Sequence, residues 1–276
     1  MLDSLIELIR TAVVRLPPDV TAALEAALAA EEEELAALQL RLMLENAARA
    51  EELGVPLCQD TGVPVFFLRG EWGEVEPLLA EAVRRATVQV PLRPCIVHPL
   101  SRENTGDNTG AHVPVVHRIT GGERSVSFMP KGAGSENCSA AAPLPPSAGA
   151  GEIAEFVADV VRRAGAKPCP PVVLGVGIGG TLEHAALLSK LALLLPLGTE
   201  SEEPALAELE RRILREVNSL GIGPMGFGGR CTCLGVRVLS AHCHTASLPV
   251  AVSLQCWAHR RATLVERSGS WEVVQP

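Results

Sequence analysis

The chain has 276 residues, 47% hydrophobic and 20% charged, with a formal net charge of −8. That composition describes an ordered globular protein long enough for one large or two small cores. With 32 acidic against 24 basic residues and no basic run, it offers no nucleic-acid or anionic-membrane surface. No stretch approaches the roughly 20 apolar residues of a membrane span, and the opening MLDSLIELIRTA carries acids and no basic leader, so a cytoplasmic location is expected.

From Leu2 to Leu53 apolar residues recur every three or four positions, broken by Pro17-Pro18, and Gly54 ends the run. This predicts an all-helical front section, a surface on which a partner or twin subunit can pack. Cys58-Gln59-Asp60-Thr61-Gly62 follows. Asp, Thr and Gly are poor helix formers and Asp and Gly poor strand formers, so this is a loop; chemistry and a buried Cys before an Asp turn are both open readings of it. Val63–Leu68 reads as a strand, Glu74–Val90 as a helix, and the proline-rich Pro91–Pro99 as an extended segment that holds Arg93 rigidly.

Ser101–Gly110 repeats Asn-Thr-Gly and reads equally as a surface loop of Asx turns or as part of a site. A strand pair over His112–Thr120 and Ser125–Pro130 is predicted, with Gly121-Gly122 as its hairpin turn. Lys131–Asn137 is a small-residue loop with a helix behind it, able to offer backbone N–H groups to an anion or to serve as a tight turn. Ala148–Ala164 is an amphipathic helix. Cys169 then sits inside Lys-Pro-Cys-Pro-Pro, stiffer than a lone buried thiol requires. Strand Val172–Val176 enters Gly175-Val-Gly-Ile-Gly-Gly180 before a helix over Thr181–Leu195. The pattern matches a dinucleotide fingerprint, but no second strand ending in an acid follows, so close helix–strand packing or a glycine wall beside a cofactor fits better. A helix over Glu202–Leu220, a second glycine loop (Gly223–Gly229) and strands Val236–Leu239, Pro249–Leu254 and Arg261–Glu266 complete the chain.

Eight cysteines without a secretion signal are small buried hydrophobes or metal ligands rather than a disulfide framework. Cys231-x-Cys233 with His242-x-His244 is one candidate constellation, for zinc, though strand burial explains it equally. Cys58, Cys169 and Cys256 are another, and their spacing matches no local iron–sulfur signature.

Seven motifs in order, Cys58-Gln-Asp-Thr-Gly, Asn104-Thr-Gly-Asp-Asn, Lys131-Gly-Ala-Gly-Ser-Glu-Asn, Cys169-Pro-Pro, Gly177-Ile-Gly-Gly-Thr-Leu-Glu, Gly223-Pro-Met-Gly-Phe-Gly-Gly and His244-Thr-Ala-Ser-Leu-Pro-Val, resemble the class I iron–sulfur fumarate hydratase and L(+)-tartrate dehydratase family, α subunit or N-terminal catalytic domain. The resemblance implies a 4Fe-4S cluster held by Cys58, Cys169 and Cys256 with one iron open. It further implies Asp60 as acid or base, His244 orienting substrate or relaying a proton, and Gln59, Arg93 and Gly134 lining the pocket. Cys95, Cys138, Cys231, Cys233 and Cys243 become small core residues, and His98, His112, His117, His184 and His259 are structural. Two departures stand out: Ala133 where the family usually has Gly, and Cys231-Thr-Cys233 in place of Thr-Thr.

The expectation is therefore an α/β (mixed α+β) chain, one domain over 1–276, with a helical section at 1–54 and a cluster- and substrate-binding core at 55–276. The expected activity is hydration of fumarate to L-malate, preferred on metabolic commonness. L-tartrate dehydration and a non-catalytic iron–sulfur or metal-sensing subunit are the alternatives. Expected partners are a dicarboxylate, a separate β subunit supplying the C-terminal-type domain, and a second α copy in an α2β2 assembly, with activity only in that assembly.

Overall fold

A computed structural model describes residues 1–267 and 269–276. In chain order its elements are α1 (Leu2–Val14), α2 (Pro18–Ala30), α3 (Glu34–Leu53), β1 (Val63–Arg69), α4 (Glu76–Gln89), β2 (Val115–Ile119), β3 (Ser125–Lys131), the single-turn α5 (Ala133–Glu136), β4 (Ala140–Leu144), α6 (Ala150–Ala164), β5 (Val172–Ile178), α7 (Leu182–Ala192), α8 (Pro204–Asn218), β6 (Cys233–Ser240), β7 (Leu248–Gln255), β8 (Ala262–Arg267) and β9 (Ser270–Val274). The class is mixed α/β with a helical front, as expected. Strands β4 and β9 were not foreseen. The chain divides into two compact units, the first Met1–Pro18, Glu45–Ala133 and Arg260–Pro276, the second Asp19–Leu44 and Gly134–His259.

The first unit is built on a sheet of order β2-β1-β3-β8-β9. Here the expected hairpin is corrected: β2 and β3 do not pair with each other but flank β1, parallel and antiparallel to it respectively. The reason lies in β1, buried from Pro64 to Leu68. A strand apolar on both faces takes a central place, whereas the half-buried β2 suits an edge. Gly121 and Gly122, both at positive φ, belong to a connection that passes the end of β1. Against this sheet α1 sets Leu5, Leu8, Ile9, Ala12 and Val13, all buried, the three- and four-residue spacing of one helix face. Phe66 and Phe128 meet in that core with ring centroids 4.9 Å apart.

The second unit holds a sheet of order β4-β7-β5-β6. Helices α6 and α8 pack their apolar faces on it through Ile153, Val157, Val161, Ile213 and Val217. Helix α7 approaches β5 so closely that a Cβ on Gly175 would overlap the Ser189 carbonyl, and one on Gly177 the Ala185 carbonyl. The glycine hexapeptide thus serves helix–strand packing, one of the two readings its sequence favoured, while Gly179 (φ +86°) and Gly180 (φ +66°) turn the chain. Glu210 and Arg237, each 6% exposed, form a buried pair (Nε–Oε1 3.5 Å). Glu210 also accepts the N–H groups of Val238 (2.9 Å) and Ser201 (3.1 Å), and Arg237 bonds the carbonyl and hydroxyl of Thr199.

Within the second unit's part of α3, Ala36, Leu40 and Met43 are buried whereas Leu35, Leu38 and Leu42 are exposed. One helix therefore carries two apolar stripes, the outer one free for a partner. No helix among the described residues is long and apolar enough to cross a membrane.

Candidate active site

The predicted site residues fall into two groups, Cys58, Gln59, Asp60 and Arg93 in the first unit and Gly134, Cys169, His244 and Cys256 in the second. All are exposed except Asp60 and Cys256, which are half-buried.

In the first unit the 58–62 loop is fixed through Asp60. Its Oδ1 accepts the Gly62 N–H (3.0 Å) and its Oδ2 the Ala133 N–H (2.8 Å), so both carboxylate oxygens are aimed by backbone. The small-residue loop does present an N–H to an anion, and in this structure that anion is the side chain of Asp60. Ala133 is exposed, so the methyl that replaces the family's usual glycine meets no core. Lys131 is 1% exposed, inside rather than at a ligand surface. The Asp60 N–H points at Cys58 Sγ (3.4 Å).

Arg93 is coupled to this loop through its main chain. Its carbonyl accepts Thr61 Oγ1 (2.8 Å) and Asn108 Nδ2 (3.2 Å), leaving the guanidinium exposed on a fixed backbone. Asn108 is 1% exposed; its Oδ1 accepts the Cys95 N–H (2.7 Å) and its Nδ2 reaches Thr87 Oγ1 (3.2 Å). The Asn-Thr-Gly repeat is thus partly loop and partly clamp. Asn108→Ala is expected to cost about 2 kcal/mol by stranding the Cys95 amide, read as a lower urea midpoint. Asp107 feels two opposed effects: burial pushes its carboxyl up, and the N–H and hydroxyl of Thr109 outweigh this to hold it below its ordinary value. Its contribution is present above the unfolded-chain value and lost as pH falls through the lowered folded one.

Gly62, at φ +76°, is irreplaceable for space as well as conformation. A Cβ there would sit 2.8 Å from the Lys131 carbonyl carbon and 3.0 Å from the Gly132 nitrogen. Gly62→Ala is expected to destabilise the chain by about 1–3 kcal/mol, measured by chemical denaturation.

In the second unit the structure brings the Cys169 and Cys256 segments together, since the Trp257 N–H bonds the Cys169 carbonyl (3.2 Å). Cys169 itself is left-handed at φ +54°, a conformation costing a non-glycine residue about 1–2 kcal/mol. The Met225 N–H, from the second glycine loop, buttresses Pro170 O (2.7 Å). Gly134 lies beside this segment, a Cβ on it falling 3.1 Å from the Lys167 carbonyl. Ser135 Oγ, next to Gly134, bonds Gln255, next to Cys256 (3.2 Å). Three separate motifs thus lock one exposed thiol and one half-buried thiol in place.

His244 stands elsewhere. The β5–β7 register pairs Val173 with Gln255 and Ile178 with Val250, so Cys256 leaves one end of the sheet and the connection bearing His244 joins the other. The His244 Nδ1 accepts the Ala246 N–H (3.1 Å), so in the neutral ring the proton is on Nε2, available to donate.

Of the five cysteines expected in the core, Cys233 is buried as expected, and the other four are corrected: Cys95, Cys138 and Cys231 are half-buried and Cys243 is exposed. Cys243 lies in the surface connection before β7 and donates to Ser247 O (3.1 Å), a bond that replaces packing. Desolvation pushes the Cys231 thiol up to about 12 and raises Cys233 further. Both donate to carbonyls, of Cys233 and Gly235 respectively. Among the described residues no three His, Cys, Asp or Glu side chains are grouped so that they could hold one metal ion.

Arg260 went unassigned in the sequence. It is 2% exposed, and its Nη2 donates to the Asp60 carbonyl (2.7 Å). The available signal was a consecutive Arg260-Arg261 pair between Ala258 and Ala262, cations where a strand was entering a core.

The family model described as fumarate hydratase (Fumerase) matches residues 3–265. A Methanocaldococcus jannaschii protein named "Putative L(+)-tartrate dehydratase subunit alpha" is 46% identical over 271 residues, covering 94% of this chain and 95% of its own length. The L(+)-tartrate dehydratase subunit alpha of Escherichia coli K12 is 38% identical over 259 residues, covering 91% of this chain and 86% of its own.

Proposed function

Because the chain belongs to the fumarate hydratase family, whose members and relatives are named for adding or removing water, we propose that it is the α-type subunit of a hydro-lyase that dehydrates L(+)-tartrate. The names of the relatives, matched over nearly their whole length, carry this choice, and they favour tartrate over the fumarate preferred on commonness. Fumarate–malate interconversion is the second reading, supported by the family description. A subunit of the kind the relatives are named for has a counterpart, so the active species is an assembly with a β-type subunit.

Cys58 of the first unit and Cys169 and Cys256 of the second are proposed as the three thiolates of a 4Fe-4S cluster. The donor set suits it: Cys58 Sγ already accepts an N–H, and the other two lie on adjoining segments, whereas the Cys231 and Cys233 thiols are desolvated and bonded to main-chain carbonyls. When bound, such a cluster supplies a Lewis acid at its open iron. The chain's own groups do the rest. Asp60, aimed through both oxygens, takes or returns the proton on the carbon beside the leaving hydroxyl. Arg93, rigid in backbone and exposed at its guanidinium, grips a carboxylate as a fork. Gln59 and Gly134 border the substrate, and His244 keeps the substrate-orienting role that the family resemblance gives it.

The test is anaerobic preparation of the chain with its β-type partner and assay of L(+)-tartrate against L-malate and fumarate. A kcat/KM at least tenfold higher for tartrate is expected, the reverse order selects the second reading, and inactivity on all three rejects both. Mössbauer spectra should show one iron site perturbed by added dicarboxylate; an unperturbed cluster points to a non-catalytic subunit.

A further inference from the structure

Arg260 is a buried cation with an unusual set of partners. Nη2 bonds the main-chain oxygen of Asp60, while Nε and Nη1 are buried and, among the described residues, meet no hydrogen-bond acceptor. A guanidinium taken out of water normally satisfies its remaining donors, because each charged donor left dry costs free energy. Here a single strong bond holds it, and that bond ends on the residue proposed to move the proton.

We infer that Arg260 is a positioning residue that sets Asp60 for proton transfer. Three backbone-level constraints act on Asp60 together. Its carbonyl is held by Arg260, its Oδ1 by Gly62 and its Oδ2 by Ala133. The first of these fixes the peptide plane from which the side chain departs, so it decides whether the carboxylate can meet the other two donors at all. The same peptide leads into Thr61, whose hydroxyl bonds the Arg93 carbonyl (2.8 Å), so Arg260 also sets the register between Asp60 and the Arg93 segment. The bond is charge-assisted and its donor buried, which makes it shorter and stiffer than a neutral one.

The inference rests on Asp60 being the proton-transfer group, and the experiment separates the two. In the assembly with its β-type partner, Arg260→Met keeps the volume and removes the bond, while Arg260→Lys keeps one donor. Arg260→Met is expected to lower kcat about 100-fold with KM changed less than threefold, as a misplacement near 1 Å does, and Arg260→Lys to recover at least tenfold of that loss. Hydrogen exchange of the 58–62 and 131–134 segments should rise in Arg260→Met whether or not the cluster is loaded. In the Asp60→Asn background Arg260→Met should cost less than threefold more, because both act through one group. Should Arg260→Met keep kcat within twofold, or should its effect multiply with that of Asp60→Asn, the positioning role is wrong. Full activity in Asp60→Asn alone overturns the assignment of Asp60 and leaves the measurement on Arg260 as a separate result. If Arg260→Met does not fold, the shorter, neutral Arg260→Gln takes its place, and a kcat within twofold of wild type overturns the inference.

Discussion

On the proposed hydro-lyase role, Asp60→Asn lowers kcat by about 10²- to 10⁴-fold, the usual span for losing a positioned acid or base, with KM nearly unchanged. The substitution is close in shape but not in hydrogen bonding. Gly62 and Ala133 both present N–H donors to the carboxylate, and an amide can offer an acceptor to only one of them. Whichever way the new side chain turns, its NH2 faces a donor, so a stability loss of about 1–3 kcal/mol accompanies the loss of chemistry. Rapid-quench turnover together with thermal melting distinguishes the two contributions. Retention of wild-type turnover would show that the proton is handled elsewhere.

Glu210→Ala destabilises the chain by about 3–5 kcal/mol, the expected cost of removing one partner from a buried ion pair. Arg237 is left as a buried cation at 6% exposure, and the amides of Ser201 and Val238 lose their acceptor. The measurement is the guanidinium chloride midpoint of the assembly, with iron content as control. Glu210→Gln keeps one acceptor and should recover part of the loss. A change below 1 kcal/mol in Glu210→Ala would mean that the pair contributes little beyond its charges' own desolvation.

Much of the architecture was legible because local chemistry and final environment agree. The α1 face, the apolar run of β1 and the stiff Pro-Cys-Pro-Pro segment read the same in sequence and in space. What failed was pairing. The expected hairpin of β2 and β3 rested on two glycines, and the competing claim of a fully apolar β1 to the central place became visible only once the strands were compared. The candidate site was legible as a loop at Cys58–Gly62, since Asp, Thr and Gly are poor helix formers and Asp and Gly poor strand formers. It was illegible at Arg260, whose meaning comes from a carbonyl 200 residues away in the chain. The fate of the Lys131 loop was half legible: its offer to an anion is real, and the anion proved to be the protein's own. The cysteines expected in the core were misjudged where a thiol found a carbonyl at the surface instead, as Cys243 does with Ser247.

The first unit draws on three separate stretches, and β8, which pairs with β3 along Ser125–Phe128, follows β3 only after Gly134–His259 has been translated. A nascent chain therefore carries β3 with one row of amides and carbonyls unpaired for nearly half of its synthesis, an invitation to cross-chain pairing. In the second unit β4 waits likewise, since its one strand partner, β7, follows only after β5 and β6. Slower growth at low temperature with abundant chaperone, rather than stronger induction, is the route to soluble material.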